Sequence, residues 1–155
     1  MIGDPIAWLE KSGAQRDVLD GLRECSRDWR TLLRDCPRGD WLLGIAVRVG
    51  VDHRQLVRAA IGCARTSLDR YEGREASALL EVASRWSEGE ASEDDVAVAT
   101  RALDAAAAAV RDPSADAAAR AAQAVGMGIL DRETLVSAAA FALILAIDAR
   151  SLPKP

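Results

Sequence analysis

The stretch DHRQLVRAAIGCARTSL, Asp52 to Leu68, decides the fold. Wound at about 100° per residue, Leu56, Val57, Ala60, Cys63, Ala64 and Leu68 fall on one arc, and Arg54, Arg58, Arg65 and Asp69 on the other. This is the period of an amphipathic helix, not the two-residue alternation of a strand. Asp52 stands where a helix wants a side-chain acceptor for its first free N–H groups.

The same reading extends in both directions. Upstream, Asp40 is the expected N-cap of a helix from Trp41 to Val49, whose segment WLLGIAV is apolar on nearly every side and so reads as buried on most of them. Gly44 would let a neighbour pack close, and Gly50 ends the helix. Before it, Val18, Leu22, Cys25 (or Ser26), Trp29 and Leu32-Leu33 keep helical spacing from about Gln15 to Asp35, with Gly21 a mild weakness. Pro37 and Gly39 close that segment. A short first helix follows Asp4-Pro5, carries Ile6, Trp8 and Leu9, and stops near Ser12-Gly13.

Downstream, Glu72-Gly73 turns into a helix from Arg74 to Trp86, with Ala76, Leu79, Leu80, Ala83 and Trp86 inward. Ser92 and Asp95 nearly make a capping box for a helix running to about Arg111 along Val96, Ala99, Leu103, Ala106 and Val110. Asp112-Pro113 breaks the chain, and an Ala-rich helix runs from Ser114 to about Val125 before Gly126 and Gly128 loosen it. Asp131 begins a last helix with Leu135, Ala138, Ala139, Phe141, Leu143 and Ile147.

The chain is therefore expected to be all-α: seven to eight helices packed as antiparallel hairpins around one core. Residues 1–150 read as a single helical domain and residues 151–155 as a frayed C-terminal tail. Composition agrees, because alanine supplies 31 of 155 residues and favours helices, while β-branched mass for sheets is scarce.

A net charge of −4 argues against nucleic acid, whose binders carry a basic footprint. A helix-turn-helix across Trp41–Leu68, with Arg54 and Arg58 toward a groove, is the lesser alternative. The N-terminus lacks the basic start and apolar stretch of a signal peptide, and the longest apolar run, Ala138–Ile147, is too short for a bilayer. A cytoplasmic location without membrane association is the expectation. Cys25, Cys36 and Cys63 are widely spaced and read as buried thiols in a reducing compartment.

Catalytic signatures are missing from the sequence. The sole histidine, His53, falls in a first helical turn and reads as a surface residue. No nucleophile-elbow, zinc-spacing or phosphate-loop pattern accompanies it. No enzyme activity, cofactor or metal is expected. Two charged strips are candidates for binding a partner: the acidic Glu88, Glu90, Glu93, Asp94 and Asp95, and the basic Arg54, Arg58 and Arg65. Trp29, Trp41 and Trp86 recur near helix ends and read as core anchors.

Several of these segments also resemble a known family. Asp40-Trp41 opening an apolar helix, the heart AAIGCA within Leu56–Leu68, the run Ala83 to Gly89 with Gly three residues after Trp86, and the Ala-rich pair ending Ala121-Ala122-Gln123-Ala124-Val125 resemble small helical immunity proteins of bacterial polymorphic-toxin systems. The resemblance covers roughly residues 35–125. It implies a non-enzymatic protein-binding module that occludes a cognate toxin, with the acidic strip as a contact. The alternative is a structural or regulatory helical adaptor that self-associates, in the simplest case as a homodimer.

Overall fold

The computed structural model describes residues 3–14, 16–25, 28–36, 38–131 and 145. Among these, eight α-helices follow one another: α1 (Pro5–Lys11), α2 (Arg16–Cys25), α3 (Trp29–Asp35), α4 (Gly39–Arg48), α5 (His53–Arg65), α6 (Glu75–Glu88), α7 (Glu93–Ala107) and α8 (Pro113–Leu130). A 3₁₀ turn, Leu68–Arg70, separates α5 from α6. The protein is all-α, with its helices packed on one another.

Buried apolar side chains gather in two clusters. The larger is built by α5 to α8, which touch in every pairing except α5 with α7 as substantial contacts. Its centre is α8, where eleven of eighteen residues are buried and nearly all of them are Ala, Gly or Ser. Small side chains let α5, α6 and α7 approach the α8 axis closely. The smaller cluster joins Ile6, Leu9, Leu19, Leu22 and Leu32 of α1 to α3 with Ile45 of α4. Helix α4 belongs to both. Leu43, Ala46 and Val47 face the larger cluster, and Trp41, Leu42 and Ile45 face the smaller one. These two sets lie on opposite sides of a helical wheel, which explains why this segment is apolar all round.

Caps set most of the boundaries. The Asp4, Asp52 and Asp112 carboxylates accept backbone N–H groups of α1, α5 and α8. Ser92 and Asp95 form a complete, reciprocal capping box on α7. Gly89 ends α6 in the left-handed conformation at φ +85°, with the Gly89 and Glu90 N–H groups returned to the Trp86 and Arg85 carbonyls.

Four expectations need correction. The single helix expected from Gln15 to Asp35 is two. Asp28 takes an extended backbone and caps α3 by accepting from the Thr31 N–H at 2.9 Å. The new start resets the helical phase, so Leu32 is buried while Leu33 is 51% exposed. Helix α4 starts at Gly39, with Arg38 and not Asp40 at the cap position. Among the described residues, a Cβ at Gly44 would meet only Arg48 of its own helix, so none of them makes the expected close approach there. The close approach is at Gly21, where a Cβ would overlap the Trp41 ring. Finally, Gly126 and Gly128 do not loosen the chain. Helix α8 runs through both to Leu130, and Gly126 is the point where Thr100 and Leu79 press against it. Asp131 closes α8, its N–H donating to the Met127 carbonyl at 2.9 Å. The last expected helix and the 151–155 tail lie outside the described residues, apart from the helical Leu145, which packs against the larger cluster.

The caps make stability acid-sensitive. The Asp28 carboxyl is held below the usual range by the Thr31 N–H and hydroxyl, Asp95 by the Ser92 N–H and hydroxyl, and Asp112 by the Ser114 hydroxyl and Ala115 N–H. A carboxyl with a lowered native pKa contributes stability above its unfolded value of about 3.9, and loses it as pH falls through the native value. The thermal midpoint, followed by circular dichroism, is therefore expected to fall below about pH 4. An Asp28→Asn/Asp95→Asn/Asp112→Asn variant keeps acceptors at the caps and should flatten that acid limb. An unchanged limb would mean that these caps do not govern it.

Candidate functional site

The basic arc of α5 lies against the C-terminal end of α6. The Arg58 guanidinium donates from Nε to Ser87 Oγ at 3.1 Å and from Nη2 to the Ser87 carbonyl at 3.0 Å. That carbonyl is among the last of α6, so the cation sits at the negative end of the helix dipole. The Arg54 guanidinium lies over the Trp86 ring at 5.7 Å, and its Nη1 approaches Gly89. Arg65 stands apart. It is exposed at the far end of α5, about 10 Å along the axis beyond Arg58.

Glu88, Glu90, Glu93, Asp94 and Asp95 are all exposed around the turn from α6 to α7. Glu88 is the last residue of α6, and Glu93, Asp94 and Asp95 form the first turn of α7. The Glu90 carbonyl accepts from Arg85 Nη2 at 3.2 Å. Asp95 has a structural task, because its carboxylate closes the capping box with Ser92. Because Arg54 and Arg58 reach Trp86, Ser87 and Gly89, two of the three expected basic residues adjoin the acidic strip. Together they make one mixed-charge surface. The same contacts turn the two arginines onto α6, where a groove-reading helix would need them directed outward.

His53 is not the surface residue that its position suggested. Its ring is half-buried and stands edge-on to Trp86, with centroids 5.2 Å apart and planes at 62°. Its Nε2 lies 3.0 Å from the Gly128 carbonyl. A carbonyl only accepts, so Nε2 carries the hydrogen and is tied to the end of α8. His53, Trp86 and Ser87 thus underlie the charged surface, yet none of the three was foreseen in that role. The partner of His53 is 75 positions away, and no local pattern announces such a contact.

The other tryptophans anchor the smaller cluster. Trp8 and Trp29 meet edge to face at 5.6 Å, and the Trp29 indole N–H donates to the Gly3 carbonyl at 2.9 Å. Arg38 lies 4.6 Å over Trp41. The three cysteines are free and half-buried. Burial pushes the Cys63 thiol up.

A cleft of about 490 Å³ opens at the other end of α6, lined by residues that include Tyr71, Glu75, Val110 and Arg111. The Tyr71 hydroxyl donates to Glu75 Oε2 at 3.4 Å, and burial followed by the Glu75 charge raises the Tyr71 pKa. No histidine, cysteine or serine lines it among the described residues. Also among the described residues, no group of three or more His, Cys, Asp or Glu is placed to hold a metal ion. No helix there is long and apolar enough to cross a membrane.

Compared with known proteins, residues 50–150 match the family described as Imm-5 like putative immunity protein. The match begins at the turn before α5 and takes in every helix of the larger cluster except α4. No curated protein and no solved structure matches the chain.

Proposed function

The chain belongs to the Imm-5 like immunity protein family, and from that membership we propose that it binds a cognate toxin protein and occludes the toxin's working surface without turnover. The contact is the mixed-charge surface at the turn from α6 to α7, with Glu88, Glu90, Glu93 and Asp94 as the acidic half and Arg54 and Arg58 as the basic half. The observation that carries this reading is the convergence of the two strips, held by Arg58 on Ser87 and Arg54 on Trp86. Opposite charges set side by side fix orientation and exclude wrong partners, and they speed encounter. A chain of net charge −4 steers toward a basic partner.

The test uses a purified toxin domain that is captured by the tagged chain. A Glu88→Ala/Glu90→Ala/Glu93→Ala/Asp94→Ala variant spares Asp95 and so leaves the α7 cap intact. Its association rate at low salt is expected to drop about tenfold or more, with a weaker salt dependence than the wild type. A folded variant that binds with unchanged rate and affinity would remove the strip from the interface.

A further inference from the structure

The cleft at the start of α6 is separated from the charged turn by the length of that helix, about 20 Å. Its wall sets the short alkyl side chains of Ala106, Ala109, Val110 and Ala115 beside charged groups. Both of its guanidiniums are engaged by the protein. Arg111 Nη1 donates to the Ala108 and Val110 carbonyls at 3.2 and 3.3 Å, and Arg70 Nε lies 3.8 Å from Asp69 Oδ2. Asp112 is engaged as well, because it accepts from the Ser114 hydroxyl and the Ala115 N–H to cap α8. Glu72 and Glu75 differ. Glu72 is exposed and makes no hydrogen bond or ion pair among the described residues. Glu75 receives only the Tyr71 hydroxyl there, at 3.4 Å, which is longer than a normal O–H···O bond. Gly73 makes room for this pair, since a Cβ in its place would overlap both the Tyr71 ring and the Glu75 carboxylate. The uncommitted charge of the cleft is therefore negative, and it stands beside an aromatic ring and an apolar wall.

We propose that this cleft binds a primary alkylammonium group. The ammonium offers three N–H donors, and its hydrogen bonds to the Glu72 and Glu75 carboxylates are strengthened by charge. The ring of Tyr71 attracts the same cation. The alkyl stem lies along the alanine and valine wall, as lysine stems lie on apolar surface. A bare metal ion would gain nothing from that wall, and an anion would meet two carboxylates. The volume of about 490 Å³ falls in the ordinary range for small-molecule clefts. Free polyamines and lysine side chains both carry this group, and the test separates the two sources. None of its residues belongs to the turn from α6 to α7, so the proposal does not depend on toxin binding.

Tyr71 is the sole tyrosine of the chain, so isotope-labelled tyrosine gives ring NMR signals from this cleft alone. Full-length labelled chain is titrated at neutral pH with spermidine, with N-acetyl-lysinamide, and with butanediol as an uncharged control. The ring signals are expected to shift to saturation with the two amines and to ignore butanediol. Tighter binding of spermidine assigns the site to a free polyamine, and tighter binding of N-acetyl-lysinamide assigns it to a lysine side chain; either supports the proposal. A Glu72→Gln/Glu75→Gln variant should weaken the response about fivefold or more. The Glu88→Ala/Glu90→Ala/Glu93→Ala/Asp94→Ala variant should leave it unchanged. Two results would overturn the proposal. One is a wild-type signal that fails to saturate with either amine or moves equally with butanediol. The other is a response weakened as much by the second variant as by the first, which is attraction to the net charge of −4 and not to the cleft. If the Glu72→Gln/Glu75→Gln variant does not fold, the wild-type titrations decide the matter alone.

Discussion

Leu79→Ala is expected to lower the stability of the chain by about 3 kcal/mol or more, in the upper part of the range for deleting a buried leucine. Leu79 is fully buried on α6, in the larger cluster. Its two terminal methyls press on α8 at Gly126, each 3.3 Å from the position that a Cβ there would take. Truncation opens a cavity against a glycine, which has no side chain to move into it. The site also sits where α6, α7 and α8 meet, and each of these helices is held by the other two. Urea denaturation followed by circular dichroism should show a lower midpoint with little change in slope. A second variant gives the claim an internal check. Gly126→Ala alone introduces a Cβ that overlaps Thr100 Oγ1 and crowds Leu79, whereas in the Leu79→Ala background part of that crowding is gone. The two substitutions should therefore couple favourably by about 1 kcal/mol. A Leu79→Ala loss below about 1 kcal/mol would be too small for a fully buried leucine, and would mean that α6 does not pack on α8 as described.

Ala118→Leu is expected to be nearly as damaging for the opposite reason. Ala118 is fully buried on α8, the helix that touches α5, α6, α7 and the 3₁₀ turn. Its small side chain is what permits the neighbours their close approach. A leucine there must force off-rotamer side chains or separate helices, at about 2–3 kcal/mol. For a chain of this size, that loss lowers the thermal midpoint by roughly 4–12 °C. Met127→Leu on the same helix is the control. Met127 is 51% exposed, and a change there should stay within about 0.5 kcal/mol. If Ala118→Leu melts with the control, the alanines of α8 reflect helix propensity alone and not the packing.

These two expectations mark where the sequence was legible. Helix α5 could be read from one period and one cap, because half of its surface faces water and half faces the core. The inward set of α6, Ala76 to Trp86, was legible for the same reason, as was the Ser92–Asp95 box. The break at Asp28 was not. The spacing from Leu22 through Cys25, Trp29 and Leu32 runs on in helical phase, and an aspartate there suits a solvent-facing turn as well as a cap. Only the extended backbone at Asp28 separates the two readings. Gly126 misled because a glycine inside a helix usually weakens it. Here it is kept where Thr100 and Leu79 leave no room for a Cβ.

The candidate site was half legible. Both charged strips follow from local composition and lie where the helix positions put them. Their adjacency does not follow, since it depends on how α5 packs on α6. Asp95 could be told from its acidic neighbours by its spacing from Ser92, and Arg65 lies seven positions beyond Arg58 on the same helix, but nothing local shows that Arg54 and Arg58 reach the end of α6. His53 is the sharpest case: its first-turn position promised solvent, and its ring is instead held between Trp86 and the carbonyl of Gly128.

Neutralisation of a toxin by covering it is read out by an inhibition titration. A toxin domain captured by the tagged chain is assayed for its own activity while purified chain is added. Activity should fall linearly to zero at one chain per toxin, and the Glu88→Ala/Glu90→Ala/Glu93→Ala/Asp94→Ala variant should require a large excess to do the same. Full toxin activity at a saturating excess of folded wild-type chain would mean that the chain does not occlude that toxin.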